Sequence, residues 1–191
     1  MIFLKSIPNI LTTLRILLVP FFIVLFYSNL FYMKILSLCI FFISSITDFL
    51  DGYIARKYNL TTTFGRFVDP LADKILVLSA FFILHNLYPN HIPLWMVFSI
   101  FIRDVVVTFF RLYLNYKNSV LKTSILAKRK TLFQIVVIHI LLIFQVFYPS
   151  DSTQYTAAAI GQVFFILMLL CVIFTIFTGI HYFIINFSKN G

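Results

Sequence analysis

The chain has 191 residues, of which 61% are hydrophobic and only 11% charged, against about 25% charged in an ordinary soluble domain. A mean hydropathy of +1.01 excludes disorder, argues against a water-soluble globule and leaves room for several membrane crossings of about 20 residues each. Fifteen Lys/Arg stand against six acids, all of them Asp, a balance that points to an anionic membrane leaflet or anionic ligands before nucleic acid.

The charges themselves mark out the elements. Eighteen uncharged residues separate Arg15 from Lys34, 13 separate Lys34 from Asp48, and 28 separate Lys74 from Arg103. Twenty more lie between Lys130 and Asp151, and 37 between Asp151 and Lys189. The long third run is notched by His85 to Pro93, and Pro149-Ser150-Asp151-Ser152 carries the same turn chemistry. This pattern predicts an all-α integral membrane protein of one domain spanning 1–191. Six transmembrane helices are expected at about 8–28, 33–57, 68–88, 93–117, 127–148 and 156–186. Ile2-Phe3-Leu4-Lys5 is expected to be a short interfacial segment ahead of an uncleaved first helix, because Arg15 interrupts the pattern and no small-residue cleavage site follows. Cys39 and Cys171 lie alone in apolar runs and read as packed thiols. No internal repeat or linker is visible.

Lys and Arg also predict orientation. Arg56, Lys57 and Arg66 surround the second connection, and Lys117, Lys122, Lys128, Arg129 and Lys130 the fourth, whereas the third and fifth carry no Lys or Arg. Both termini are therefore expected on the cytoplasmic side. Lys34, in the first outer turn, is the exception.

Length then forces charge into the membrane. Thirteen uncharged residues after Lys34 cannot span, so the second helix has to continue through Asp48 and Asp51. The third, counted back from Tyr88, has to include Asp73 and Asp69. At about 1.5 Å per residue, Asp48 and Asp73 fall roughly 21–22 Å from the outer ends of their helices, at one depth. Each pair, three or four residues apart, shares a helix face. Acids in the membrane are costly and mark function by default. Hard oxygen donors without His or Cys select Mg²⁺, Mn²⁺ or Ca²⁺, and two such ions could share four carboxylates and clamp a phosphoryl displacement. Interfacial salt bridges to Arg56, Lys57, Arg66 and Lys74 are the plainer alternative. On the fourth helix, Arg103 and Asp104 sit near mid-membrane and Arg111 near the cytoplasmic end. Internal compensation and ligand contact are both open for the first two. Arg111 has no acid three or four residues away, so an anionic ligand is its expected partner.

Residues 48–73 read Asp48-x2-Asp51-Gly52-x2-Ala55-Arg56-x8-Gly65-x3-Asp69-x3-Asp73. Every fixed position matches the signature of the CDP-alcohol phosphotransferases, which this chain resembles over most of its length. Ile7-Pro8-Asn9 through Arg15, Asp69-Pro70-Leu71-Ala72-Asp73-Lys74, Ile102-Arg103-Asp104 with Arg111, and Ser124-x3-Lys128-x-Lys130-Thr131-x2-Gln134 resemble the phosphatidylglycerophosphate synthase branch. Ala127 departs from it, standing where a glycine usually precedes the lysine.

The resemblance implies six transmembrane helices in a homodimer, around a polar cavity open to the cytoplasm, in the cytoplasmic membrane of a bacterium. It implies Mg²⁺- or Mn²⁺-dependent transfer of a phosphatidyl group from CDP-diacylglycerol to an alcohol, with membrane lipids as surroundings and no nucleic-acid partner. By position Asp48, Asp51, Asp69 and Asp73 match the ligands of two divalent cations, and Asp73 the proposed base. Asp48, Gly52, Ala55, Arg56, Gly65 and Asp69 match the CDP-diacylglycerol site, although Gly52 alone reads equally as a packing glycine and Ala55 as helix filler. Arg103, Arg111, Lys128 and Lys130 are the candidates for the phosphate of the acceptor, for which glycerol 3-phosphate is expected. Inositol phosphate, serine and phosphatidylglycerol are the alternatives within the family, and anchoring to anionic lipid is the plainer role of Lys128. A cation channel or transporter would also put Asp in membrane helices, but predicts repeats or broken helices that are not seen.

Overall fold

The computed structural model describes the backbone of residues 2–57, 63–117, 125–148 and 154–187. It describes the side chains in these segments except those of 2–10, 48–57, 63–71, 73, 115, 125–128, 154–158 and 187. The described residues form six helices and no strand: α1 (Ile2–Phe26), α2 (Phe31–Lys57), α3 (Thr63–Leu87), α4 (Leu94–Tyr116), α5 (Ile125–Phe147) and α6 (Gln154–Phe187). The charge intervals thus locate every helix. Two starts differ from expectation. Helix α1 begins at Ile2, so the segment expected to be interfacial is helical, and Pro8 lies in the second turn, where it removes one backbone donor without ending the helix. Helix α3 begins at Thr63 rather than 68, which places Gly65 and Pro70 inside it.

The turns follow from local chemistry. Between α1 and α2 the Ser28 hydroxyl accepts the amide of Leu30 at 3.2 Å. Between α3 and α4 the amides of His91 and Ile92 both donate to the carbonyl of Tyr88, at 3.1 and 2.8 Å. The Nδ1 of His85 lies 2.7 Å from the Ile92 carbonyl and closes the turn from the side. Pro93 then stands just ahead of α4, where a missing amide donor costs least.

The chain divides into two compact units, residues 1–83 with 142–148 and residues 84–141 with 149–191. In the first, α1 packs on α2. Thr12, Arg15, Val19, Phe22 and Phe26 recur at three- and four-residue steps and are buried, as are Ser37, Phe41, Ser44 and Ser45 of α2. Ser37 ties the two backbones together, donating to the carbonyl of Phe22 at 2.8 Å, and the rings of Phe22 and Phe41 meet at 5.2 Å. Ala72, Leu76, Val77, Ala80 and Phe81 bury one face of α3.

In the second unit α4 packs on α6. Its core is Met96, Val97, Ile100 and Val107 of α4, Val137, Ile138 and Leu141 of α5, and Phe164, Met168, Cys171 and Val172 of α6. The opposite faces carry Leu17, Phe21 and Val24 on α1, Phe109 on α4, and Ile166, Ile173, Ile180 and Ile184 on α6, all exposed. Apolar exteriors of this kind, on α1 in the first unit and on α4 and α6 in the second, belong against acyl chains rather than water. Residues 129–147 and 159–186 are long and apolar enough to cross a membrane. At about 1.5 Å per residue they reach roughly 28 and 42 Å, against a hydrocarbon core of about 30 Å.

Candidate functional site

The polar core of the second unit is built from three apolar helices. Asp104 of α4 is its centre. The Lys130 ammonium, from α5, donates to both carboxylate oxygens of Asp104, at 2.5 and 2.7 Å. The guanidinium of Arg103 donates to Oδ1 of the same carboxylate at 3.0 Å. Its other terminal nitrogen donates to the Thr178 hydroxyl of α6, also at 3.0 Å. Thr178 in turn donates to the carbonyl of Thr175 at 2.9 Å, and the Thr175 hydroxyl accepts Nε2 of Gln134 at 2.9 Å. Gln134 lies one turn along α5 from Lys130, so the network ties α4, α5 and α6 along a single seam.

Burial sets the energetic weight of this cluster. The side chain of Lys130 is 3% exposed, those of Arg103 and Asp104 14% and 15%. Removing one member of a buried ion pair costs about 3–5 kcal/mol, because the partner charge stays behind. An interhelical hydrogen bond in a membrane protein averages only about 0.6 kcal/mol. The ion pairs, not the threonine and glutamine bonds, therefore dominate. Gly179 makes the geometry possible: a Cβ there would stand 2.9 Å from Nε of Arg103 and 3.1 Å from its Cγ. That Nε is buried and has no hydrogen-bond partner. Two turns beyond Asp104 and one beyond Val107, Arg111 is exposed, with its guanidinium 5.8 Å from the centroid of the buried Tyr182 ring.

Of the residues singled out from the sequence, Arg103 and Lys130 thus meet on one carboxylate. The internal compensation of Arg103 by Asp104 is present, and Lys130 joins it. Arg111 lies apart on the surface of α4. Asp48, Asp51, Gly52, Ala55 and Arg56 occupy the last three turns of α2, and Gly65, Asp69 and Asp73 the first three of α3. Lys128 is in the first turn of α5. The side chains of these nine lie outside the described residues. The backbone fits the spacing argument, since α2 runs unbroken through Asp48 and Asp51 and α3 through Asp69 and Asp73. Steps of three and four residues in continuous helix put each Asp pair on one face. Among the described residues no three His, Cys, Asp or Glu converge as a metal site. The two thiols stand alone, Cys39 exposed and Cys171 buried. His139 contacts the carbonyl of Ile135 at 2.7 Å, while His181 stacks on Phe177 with its Nδ1 buried and unmatched.

Sequence reasoning missed Thr175, Thr178 and Gly179. Their signal was available: hydroxyl-bearing residues and a glycine in the middle of the longest apolar run. Nothing in that run said which charged residue they would meet.

Long apolar helices with charged residues buried among them define an all-helical integral membrane protein. Comparison with known proteins supplies the family. The sequence model of the CDP-alcohol phosphatidyltransferase family matches residues 5–180, and the chain belongs to that family. Three similar relatives each bear the name CDP-diacylglycerol–glycerol-3-phosphate 3-phosphatidyltransferase. The protein of Bacillus subtilis is 34% identical over 197 aligned positions, covering 97% of this chain and 95% of its own length. That of Rickettsia bellii is 35% identical, covering 94% of both. That of Rickettsia typhi is 40% identical over 140 positions, 73% of this chain and 77% of the relative.

Proposed function

We propose that the chain transfers a phosphatidyl group from CDP-diacylglycerol to the 1-hydroxyl of glycerol 3-phosphate, giving phosphatidylglycerophosphate and CMP. The observation that carries this reading is coverage: relatives of that name align with 94–97% of the chain. The whole chain acts as one catalytic domain in this reading, because the family match runs through all six helices.

The reaction forms a bond from the acceptor oxygen to the lipid-bearing phosphorus and breaks the bond from that phosphorus to the CMP oxygen. Asp73 takes the proton of the attacking hydroxyl. Asp48, Asp51, Asp69 and Asp73 would hold two divalent cations, Mg²⁺ or Mn²⁺, a donor set of the hard oxygen ligands these ions prefer. When bound, such ions neutralise charge on a pyrophosphate and its leaving group. Gly52, Ala55, Arg56 and Gly65 line the nucleotide part of CDP-diacylglycerol, the small residues leaving room and Arg56 supplying charge. Arg103, Arg111, Lys128 and Lys130 serve the phosphate of the acceptor, which brings about two negative charges; guanidinium can bind it with two parallel bonds and ammonium as point charge. All six helices cross the membrane, with the active site and both termini cytoplasmic, in the cytoplasmic membrane of a bacterium. The functional unit is a homodimer.

Purified protein assayed with CDP-diacylglycerol and, separately, glycerol 3-phosphate, inositol phosphate, serine and phosphatidylglycerol tests the acceptor. CMP release and a phosphatidylglycerophosphate product with the first alone are expected. Preference for serine or phosphatidylglycerol would overturn the assignment.

A further inference from the structure

We infer that Asp104 is a positioning residue for the transfer reaction: it holds the Lys130 ammonium and the Arg103 guanidinium as a fixed pair of cations for the acceptor's phosphate. This rests on the proposed reading that the acceptor carries a phosphate served by these two side chains.

Two observations carry it. First, one carboxylate takes two cations from two different helices, with Lys130 on both of its oxygens. Lysine's four-carbon stem has wide rotameric freedom, and a two-point ionic contact removes most of it. Second, the network holds the arginine from the far side as well. Thr178 accepts its second terminal nitrogen, and Gly179 gives its stem a path that any side chain would block.

A purely structural staple is the competing account, and the chemistry of the site disfavours it. Two cations sharing one acid among apolar helices is a costly way to join them, and packed hydrophobic side chains of similar volume commonly do as well or better. Ionisable groups in membrane helices mark function by default. Anchored cations also suit a small dianion, because the enzyme then meets it without first ordering flexible side chains.

The test uses the intact enzyme in detergent or lipid vesicles, with Asp104→Asn, Asp104→Glu, Thr178→Val and Lys130→Ala compared with the parent. Asp104→Asn keeps the shape and removes the charge. The expected result is a KM for glycerol 3-phosphate raised at least tenfold, with the KM for CDP-diacylglycerol changed less than twofold. Inhibition by inorganic phosphate, competitive with the acceptor, should weaken by the same factor as the acceptor KM rises. Asp104→Glu should recover a large part of the loss, and Thr178→Val should show a smaller rise of the same kind, several-fold. If Asp104→Asn does not fold, as judged by thermal unfolding and gel filtration, Asp104→Glu and Thr178→Val decide by the same split. Equal changes in both KM values, or a fall in kcat alone, would overturn the positioning role. A raised acceptor KM in Lys130→Ala with none in the Asp104 variants would overturn it while leaving the phosphate reading intact. An unchanged acceptor KM in Lys130→Ala would instead remove the reading on which it rests.

Discussion

At the scale of single residues, the acids divide the protein's chemistry. Four of the six are Asp48, Asp51, Asp69 and Asp73, on two consecutive helices, and a fifth, Asp104, organises cations on α4. The helical placement of the first four was legible because spacing within a helix is a local property that length arithmetic reveals. The partnership of Asp104 with Lys130 was not: the two lie 26 residues apart, and only tertiary packing joins them. Chemistry predicts opposite responses in the two groups. Asparagine at any of the four motif positions keeps volume and removes a hard anionic donor, so turnover should fall below detection while membrane insertion and thermal stability stay within error of the parent. Excess chelator should mimic the loss in the parent, and Mg²⁺ or Mn²⁺ should restore it. Full activity in two of these single variants, or activity indifferent to chelator, would remove the two-cation proposal.

At the scale of elements, α6 shows how small residues set helix contacts. Gly161 and Gly179 are 18 residues apart, five full turns at 3.6 residues per turn, and so share one face. Each receives a side chain from the α4 region: the His91 ring lies against Gly161 where a Cβ would collide with it, and Arg103 crosses Gly179. The helices themselves were readable from uncharged intervals, since an apolar stretch long enough to span can hide its backbone polar groups only as helix. Their starts were less so, because Pro8 and Pro70 resemble helix beginnings yet occupy second turns of helices that start earlier. The glycine face was hidden in composition, as glycine in a membrane helix has no meaning until its neighbour is known. Alanine at either glycine overpacks the seam and should cost about 1–3 kcal/mol, read as a lowered midpoint of thermal unfolding in detergent. His91→Ala should rescue Gly161→Ala, making the double variant no less stable than His91→Ala alone. Gly179→Ala should in addition raise the acceptor KM, which Gly161→Ala should leave unchanged. Additive losses in the His91/Gly161 cycle would show that the ring is not what the methyl group meets.

At the scale of the whole molecule, orientation follows from where Lys and Arg fall relative to the helices. The α2–α3 connection is flanked by Arg56, Lys57 and Arg66, and the α4–α5 connection carries or adjoins Lys117, Lys122, Lys128, Arg129 and Lys130. The α3–α4 and α5–α6 connections have no Lys or Arg. If every helix crosses, these two sets alternate sides, and the basic set faces the anionic cytoplasmic leaflet. The same alternation puts the cytoplasmic ends of α2 and α3 at residues 57 and 63, beside their Asp pairs, and those of α4 and α5 at 116 and 125, near Arg111 and Lys130. Arg111, Lys128 and Lys130, with every acid assigned to a cation, then lie toward the compartment that supplies a nucleotide-activated substrate, and Arg103 lies near mid-membrane. Single cysteines at Asn90, Ser152 and Asn59 test this directly, in a background of Cys39→Ser and Cys171→Ala that first has to retain activity. Ser152 and Asn59 lie outside the described residues, so they serve as connection markers only; Asn90 is exposed in the α3–α4 turn. A membrane-impermeant maleimide added to sealed cells should label Asn90→Cys and Ser152→Cys and spare Asn59→Cys, which should react once the membrane is opened. Labelling of Asn59→Cys in sealed cells would invert the protein, and would place the Asp pairs and the cationic cluster where cytoplasmic CDP-diacylglycerol and glycerol 3-phosphate cannot meet them.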